Sequence, residues 1–162
     1  MLKLRDDENY DFKFPASEIK FDFIKSNFSR NNANSKTLIS MLNSIGPKSL
    51  LSGANIDLDV VLKSGSKHEY HHIFPKKHLE RLGKERKEIN CLANFCFLTR
   101  SDNYTINDKS PNEYGKLISS SNKQKYLNSA LIPENFEDLS YEEFLEKRNM
   151  ALISLAQELM AE

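Results

Sequence analysis

Two adjacent histidines, His71 and His72, close a short run of strand-forming residues just ahead of Pro75. That combination restricts the local fold more than any other feature of the chain. A strand that runs into proline loses a ladder donor and must stop or lie at an edge. Neighbouring strand side chains point to opposite faces, so the pair can serve one site only where the strand ends or twists. All four histidines fall within HEYHHIFPKKHL; Asn94 follows His72 by 22 residues in INCLANFCFLTRSDN, and Asn103 comes nine later, ahead of INDKSP. Residues 69–74 are expected to form a first strand. Residues 92–98, with Phe95, Cys96 and Phe97, should pair with it as a distorted hairpin. Residues 102–108 then supply a helix with Asn103 on its first turn.

This constellation suits metal-assisted hydrolysis of a phosphodiester. A base must deprotonate water, and imidazole titrates close enough to neutral pH to do so. A cation must neutralise the non-bridging oxygens and the departing 3′ oxygen. One histidine can hold the metal while the other faces the water. Asn94 reads as the residue that orients His72 by a hydrogen bond, or as a turn residue before a strand. Asn103 reads as a ligand or a polar residue of the SDN turn, with Asn107 competing one helical turn later. Glu69, two residues before His71 and on the same strand face, is a carboxylate behind the ligands or a solvated side chain. Lys76, Lys77, Arg100 and Lys109 surround the motif as candidate phosphate contacts, which position nucleic acid without reading its sequence.

The fragments HEYHHIFPKKHL, LANFCFLTRSDN and INDKSPNEY together resemble the HNH endonucleases. They are most similar to the HNH domain at the C-terminal end of GmrSD-type, modification-dependent restriction proteins and related phage-defence nucleases. The LTRSD fragment is also similar to the HNH domain of CRISPR effector nucleases. The resemblance implies a ββα-metal hairpin and helix, with His72 as general base and His71 as first metal ligand, where many relatives carry Asp. It makes Asn94 the catalytic asparagine that orients the base and Asn103 the last metal ligand. One divalent ion is implied, Mg²⁺ or Mn²⁺, with Ni²⁺, Co²⁺ or Zn²⁺ as further candidates. DNA is the implied substrate, cut to 5′-phosphate and 3′-hydroxyl ends in a restriction or anti-phage setting. A nucleotide-hydrolysing or recognition domain or subunit would then lie outside this chain, which has no P-loop pattern. Weaker similarity runs through FSRNNANSKTLISMLNSIGPKSLLSG and YEEFLEKRNMALI.

The formal net charge is zero, but it is unevenly spread: residues 61–110 hold ten Lys/Arg against six Asp/Glu, and residues 133–162 two against eight. A basic middle beside an acidic tail is dipolar, and the modest excess predicts weak DNA affinity. A binding module that grips nucleic acid or protein without cutting is the alternative reading, the acidic tail then serving as its docking surface. No apolar run approaches about 18 residues and no signal or lipidation motif occurs, so a soluble, intracellular protein that avoids the membrane is expected, and the resemblance implies the bacterial cytoplasm. Cys91 and Cys96 read as buried apolar residues; a zinc pair with His68 and His78, otherwise surface residues, is the sharper reading, though C-x4-C is weak.

The expected fold is α+β, a mostly helical single domain around the hairpin-helix motif: a helical lead-in over 1–62, the core over 63–110 and a helical part over 111–162. The lead-in, abrupt from its first residues, reads as part of a longer protein. Helical spacing predicts a helix over 17–28 and another capped by Ser35, with Leu38, Met41 and Leu42 as its stripe and Gly46-Pro47 as its stop. A turn or short helix and an irregular apolar segment follow over 48–62. Beyond the first strand come a short helix over 76–82 and a charged loop over 83–88. Ser110-Pro111 starts a further helix with Tyr114, Leu117 and Ile118 as its apolar face. Residues 122–130 should be helical and 133–139 a loop. The longest helix, 140–161, opens with a Ser140/Glu143 capping box and buries Phe144, Leu145, Ala151, Leu152, Leu155 and Leu159.

Overall fold

The computed structural model describes residues 21–29, 32–58 and 68–161. Its helices and one two-stranded antiparallel sheet make a mixed, α+β architecture. Strand β1, His68–His72, pairs with β2, Phe95–Thr99, in the register His71↔Cys96 and His72↔Phe95. The expected hairpin forms, but β1 stops at His72 rather than running on to Phe74. Beyond it the chain is held by side-chain and backbone bonds from Asn94, and Pro75 opens α2, Lys76–Arg81. Residues 83–88, expected as a loop, contain the start of one further helical turn, α3, Arg86–Ile89. A reciprocal Glu85/Glu88 capping box satisfies its first backbone donors.

Alternation along the strands places Tyr70, His72, Phe95 and Phe97 on one face, where Phe28 stacks on Phe95 with ring centroids 4.3 Å apart. His71 and Cys96 take the other face. A 3-10 turn, Leu92–Asn94, leads into β2, and α4, Arg100–Ile106, follows it directly. Helix α4 starts two residues before its expected position because Thr99 caps it, accepting from the Asp102 N–H at 3.3 Å.

Helix α1, Ala33–Ser44, buries Leu38, Ile39, Met41 and Leu42 as its spacing requires. Its cap is Asn32, whose side chain accepts the Ser35 N–H at 2.7 Å. Ser35, expected in that role, lies a turn further in and fully buried, its Oγ accepting the Ser29 N–H at 2.9 Å. The helix ends ahead of Gly46, whose φ of +65° is left-handed backbone that favours glycine.

The helix expected over 17–28 is absent from its described part, residues 21–28; residues 17–20 lie outside the description. Asp22 accepts from the Ile24 and Lys25 N–H groups in a tight side-chain turn. The chain then bonds to the stretch before β2: Leu92 N–H to Ser26 C=O at 2.7 Å, and Phe28 N–H to Asn90 C=O at 2.8 Å. Such pairing satisfies the groups a helix would otherwise have to bond internally. Residues 48–55 form turns closed by a bridge between Lys48 and Asn55, whereas residues 59–67, including the expected turn at Gly65, are outside the description.

Helix α5, Pro111–Gly115, carries the Ser110/Glu113 capping box and proline in its first turn. Tyr114 and Ile118 are buried, but Leu117 is 47% exposed. Helix α6 spans Lys123–Asn128, and a 3-10 turn, Phe136–Asp138, interrupts the expected loop. Helix α7, Tyr141–Ala161, is the longest; the Ser140 N–H donates to Glu143 Oε2 at 2.9 Å, completing its box. Its buried face holds Phe144, Leu145, Leu152 and Leu155, with Arg148 among them. Arg148 is wholly enclosed and donates to Ala93 C=O at 2.6 Å and Ala130 C=O at 3.0 Å. Burial depresses its guanidinium to about 10. The bond to Ala93 ties the long helix to the turn that presents Asn94, and the bond to Ala130 ties it to the chain just past α6. Among the described residues no helix is long and apolar enough to cross a membrane.

Candidate functional site

The end of β1 separates the two histidines. His71, 4% exposed, turns towards α4, where its Nδ1 lies 2.8 Å from Asn103 Oδ1. A carbonyl oxygen only accepts, so Nδ1 carries the proton of this bond. Tyr114 stands edge-on to the ring at 6.2 Å, and its hydroxyl donates to Ile73 C=O at 2.7 Å, bracing the segment just past the strand. His71 Nε2 is buried with no hydrogen-bond partner among the described residues. Burial is the main reason the ring is lowered to about 4; the Asn103 bond opposes it and neighbouring His72 adds to it. His71 is therefore neutral at physiological pH, the state a metal ligand requires.

His72 leaves the strand on the opposite face, half-buried against Phe95 at a ring distance of 4.3 Å. Its Nε2 lies 2.9 Å from Asn90 Oδ1. Burial also lowers this imidazole, against the Asn90 bond and with help from the Lys76 charge. The hydrogen bond expected from Asn94 comes from Asn90 instead. Asn94 is fully buried and serves the backbone: Oδ1 accepts the Phe74 N–H at 2.9 Å, and Nδ2 donates to Phe74 C=O at 3.2 Å and Ile89 C=O at 3.0 Å. Its own C=O accepts the Ile73 N–H at 2.9 Å. Asn94 is thus a clamp on the two residues after His72, with no direct bond to the imidazole. The reason is reach: the 3-10 turn buries its side chain beneath Phe74, while Asn90 ends α3 beside the ring.

Asp102, beside Asn103, received no role from the sequence. Its Oδ2 accepts from Ser49 Oγ at 2.5 Å, Leu51 N–H at 3.0 Å, Ser52 N–H at 2.9 Å and Ser52 Oγ at 3.0 Å. Burial alone would raise this carboxyl, but the bonds from Ser49, Ser52 and Leu51 outweigh it and hold it below its ordinary range. The network fastens the 49–52 turn to the first turn of α4, and with it the position of Asn103. Asn107 caps that helix with a φ of 50° and an exposed side chain, so the residue brought to His71 is Asn103.

Lys76 and Lys77 open α2 on the exposed surface next to the histidine pair. Lys76 lies 3.6 Å from Glu80, while Lys77 and Arg81 converge on Asp108 at 3.5 and 3.6 Å. Arg100 is exposed at the start of α4, and Lys109 donates to Thr105 C=O at 2.5 Å. Arg81 joins this cationic group, a residue that no sequence pattern singles out. Cys91 and Cys96 are buried thiols; burial pushes Cys96 up to about 12, and Cys91 Sγ lies 3.6 Å from the Tyr141 hydroxyl. A neutral buried thiol is not the thiolate that zinc binds. His78 is half-buried with its ring 6.5 Å from Phe74, and the side chains of His68 and Glu69 lie outside the description.

Among the described residues, no group of three or more His, Cys, Asp or Glu side chains is placed to hold a metal. His71 and Asn103 offer an imidazole nitrogen and an amide oxygen, both uncharged, but they bond each other through Nδ1 while the unprotonated Nε2 lies on the far side of the ring. One ion therefore meets both only if that bond opens and the ring turns. Two such donors leave most of a coordination sphere to water or substrate oxygens. The site therefore belongs to a class defined by its geometry: a two-stranded hairpin followed directly by a helix, with one histidine paired to that helix and the next held from the opposite side. No family model, no curated protein and no solved structure matches the chain.

Proposed function

We propose that the chain is a metal-dependent endonuclease of the HNH type that hydrolyses DNA phosphodiester bonds, with His72 as general base. The observation that carries this reading is His72 itself. It is a half-buried, lowered imidazole at a strand end, with one nitrogen engaged by Asn90 and the other making no hydrogen bond among the described residues. A neutral ring held in this way can take a proton from water. The resulting hydroxide forms the new bond to phosphorus as the bond to the 3′ oxygen breaks, and that oxygen acquires a proton from solvent. His71 and Asn103, once their mutual hydrogen bond opens, would hold the divalent ion, which would supply charge neutralisation at the phosphate and the leaving oxygen. Lys76, Lys77, Arg100 and Lys109 would bind neighbouring phosphates. By the family resemblance, the activity belongs to bacterial restriction or phage defence in the cytoplasm, with target selection by a nucleotide-hydrolysing partner domain or subunit.

One observation favours the rival reading of a binding module that does not cut: His71 is 4% exposed, unusually enclosed for a residue that must meet an ion and a phosphate. Nicking of supercoiled plasmid in Mg²⁺, Mn²⁺ or EDTA separates the two. Metal-dependent nicking supports the nuclease; DNA binding with no nicking in any metal supports the module.

The metal dependence has an expected order. Imidazole favours softer first-row ions, whereas Mg²⁺ prefers hard, usually anionic oxygen donors. Mn²⁺, Co²⁺ or Ni²⁺ should support cleavage at lower concentration than Mg²⁺, and His71→Asp should move the preference towards Mg²⁺. Activity and melting temperature are measured against metal concentration for both proteins. Wild type saturating first with Mg²⁺, with His71→Asp unchanged, would place a carboxylate among the ligands.

Lys76→Ala combined with Lys77→Ala should weaken DNA binding and flatten its salt dependence, by about 0.9 in the log–log slope for each phosphate no longer neutralised. Both side chains are more than half exposed, so stability should scarcely change. An unchanged slope in a salt titration would put the DNA on another face.

A further inference from the structure

We propose that Asn90 is the positioning residue that decides which nitrogen of His72 is the base. The catalytic consequence rests on the nuclease reading above, whereas the choice of tautomer rests on the geometry of the pair alone. Asn90 is anchored from both sides of its own backbone. Its N–H donates to Arg86 C=O at 3.0 Å, and its C=O accepts the Phe28 N–H at 2.8 Å. As the residue that ends α3, it has little freedom to shift, and its Oδ1 meets His72 Nε2 at 2.9 Å.

The chemistry of the pair is asymmetric. A neutral imidazole carries one proton on two nitrogens, and the hydrogen bond made by one decides the state of the other. The Asn90 carbonyl oxygen accepts only, so Nε2 holds the proton and the lone pair is left on Nδ1. The ring also lies against Phe95, its plane tilted by 46° from that of the phenyl, so rotation about its own axis is restricted from one side. When Nδ1 takes a proton from water, Nε2–H remains on Asn90 and the bond becomes charge-assisted, strengthening as the transition state forms. The adjacent histidine is set the other way round, since His71 is engaged through Nδ1 by Asn103. Two neighbouring imidazoles thus receive opposite tautomers from two asparagines, and His72 Nδ1 makes no hydrogen bond among the described residues.

The test uses the full chain labelled with ¹⁵N, with ring nitrogen shifts of His72 read at a pH above its titration, beside plasmid-cleavage kinetics. Wild type is expected to show the Nε2–H tautomer. Asn90→Leu, which removes the acceptor at similar volume, should give mixed tautomers and lower kcat about 10–100-fold with KM little changed. Asn90→Asp keeps an acceptor and should retain the Nε2–H tautomer and recover most of kcat. An Nδ1–H tautomer in wild type overturns the proposal, as does Asn90→Leu with unaltered tautomer and kcat. A matching rise in KM would show a merely structural role and overturn it too. If Asn90→Leu does not fold, the wild-type shifts and Asn90→Asp still decide. A wild type that never cuts but shows the Nε2–H tautomer removes the nuclease reading and leaves the assignment of Asn90 standing.

Discussion

Replacing His72 with alanine lowers the rate of DNA cleavage by about 10²–10⁴-fold, the range over which a positioned general base acts. DNA binding persists, because the proposed phosphate-binding side chains lie on α2, at the start of α4 and just beyond it, and not on the ring. Folding also persists: the imidazole is half-buried at a strand end, and its removal leaves Phe95 more exposed and Asn90 free to bond water. The expected cost in stability is about 1 kcal/mol, typical of a partly exposed position. The measurements are single-turnover cleavage and thermal unfolding on the same preparation. A collapse of thermal stability would make His72 structural, and metal-dependent cutting that survives the substitution would place the base elsewhere.

Asn94→Ala should be the most damaging single change for the fold around the site. It removes the partner of the Phe74 N–H, the Phe74 C=O and the Ile89 C=O, at a side chain with 0% exposure. Each buried backbone group left unsatisfied costs about 1–3 kcal/mol, so a destabilisation of about 4 kcal/mol is expected. That is a large share of the roughly 5–15 kcal/mol by which a domain is stable. Urea unfolding measures it. Activity should fall as well, because the segment after His72 loses its clamp and Asn90 and His72 no longer meet reliably. If the protein keeps its stability but not its activity, Asn94 serves to orient the base, the role the family resemblance implies, and not to hold the fold.

The two substitutions separate kinds of information in the chain. The hairpin, the cap at Ser110 with Pro111, the Ser140/Glu143 box and the stripe of α1 were legible because each is a local pattern: alternation of two, spacing near 3.6, or a cap at a set offset. The meeting of His71 with Asn103 was expected from the family resemblance, not from a local pattern, and the fold gives it a physical reason. A strand, its hairpin partner and the helix that follows directly can approach in few ways, so residues 32 apart in sequence face each other at 2.8 Å.

What tertiary structure alone decided is which distant group answers each polar atom. Helical spacing over 17–28 was a fair sign of helix, yet in residues 21–28 the backbone bonds to residues 90–93, since a neighbouring stretch of chain offered partners that no local pattern reveals. Arg148 shows the same limit. It lies four residues from both Phe144 and Leu152 and so falls on the buried stripe, but only the carbonyls of Ala93 and Ala130 explain how a guanidinium survives there. Asn90 and Asn94 stand four residues apart before one strand, both plausible companions for His72. The end of α3 and the 3-10 turn between them send one to the imidazole and the other to the backbone. Hydrogen bonds act over about 3 Å, so a fraction of a helical turn decides the role of each asparagine, and that fraction is set by packing.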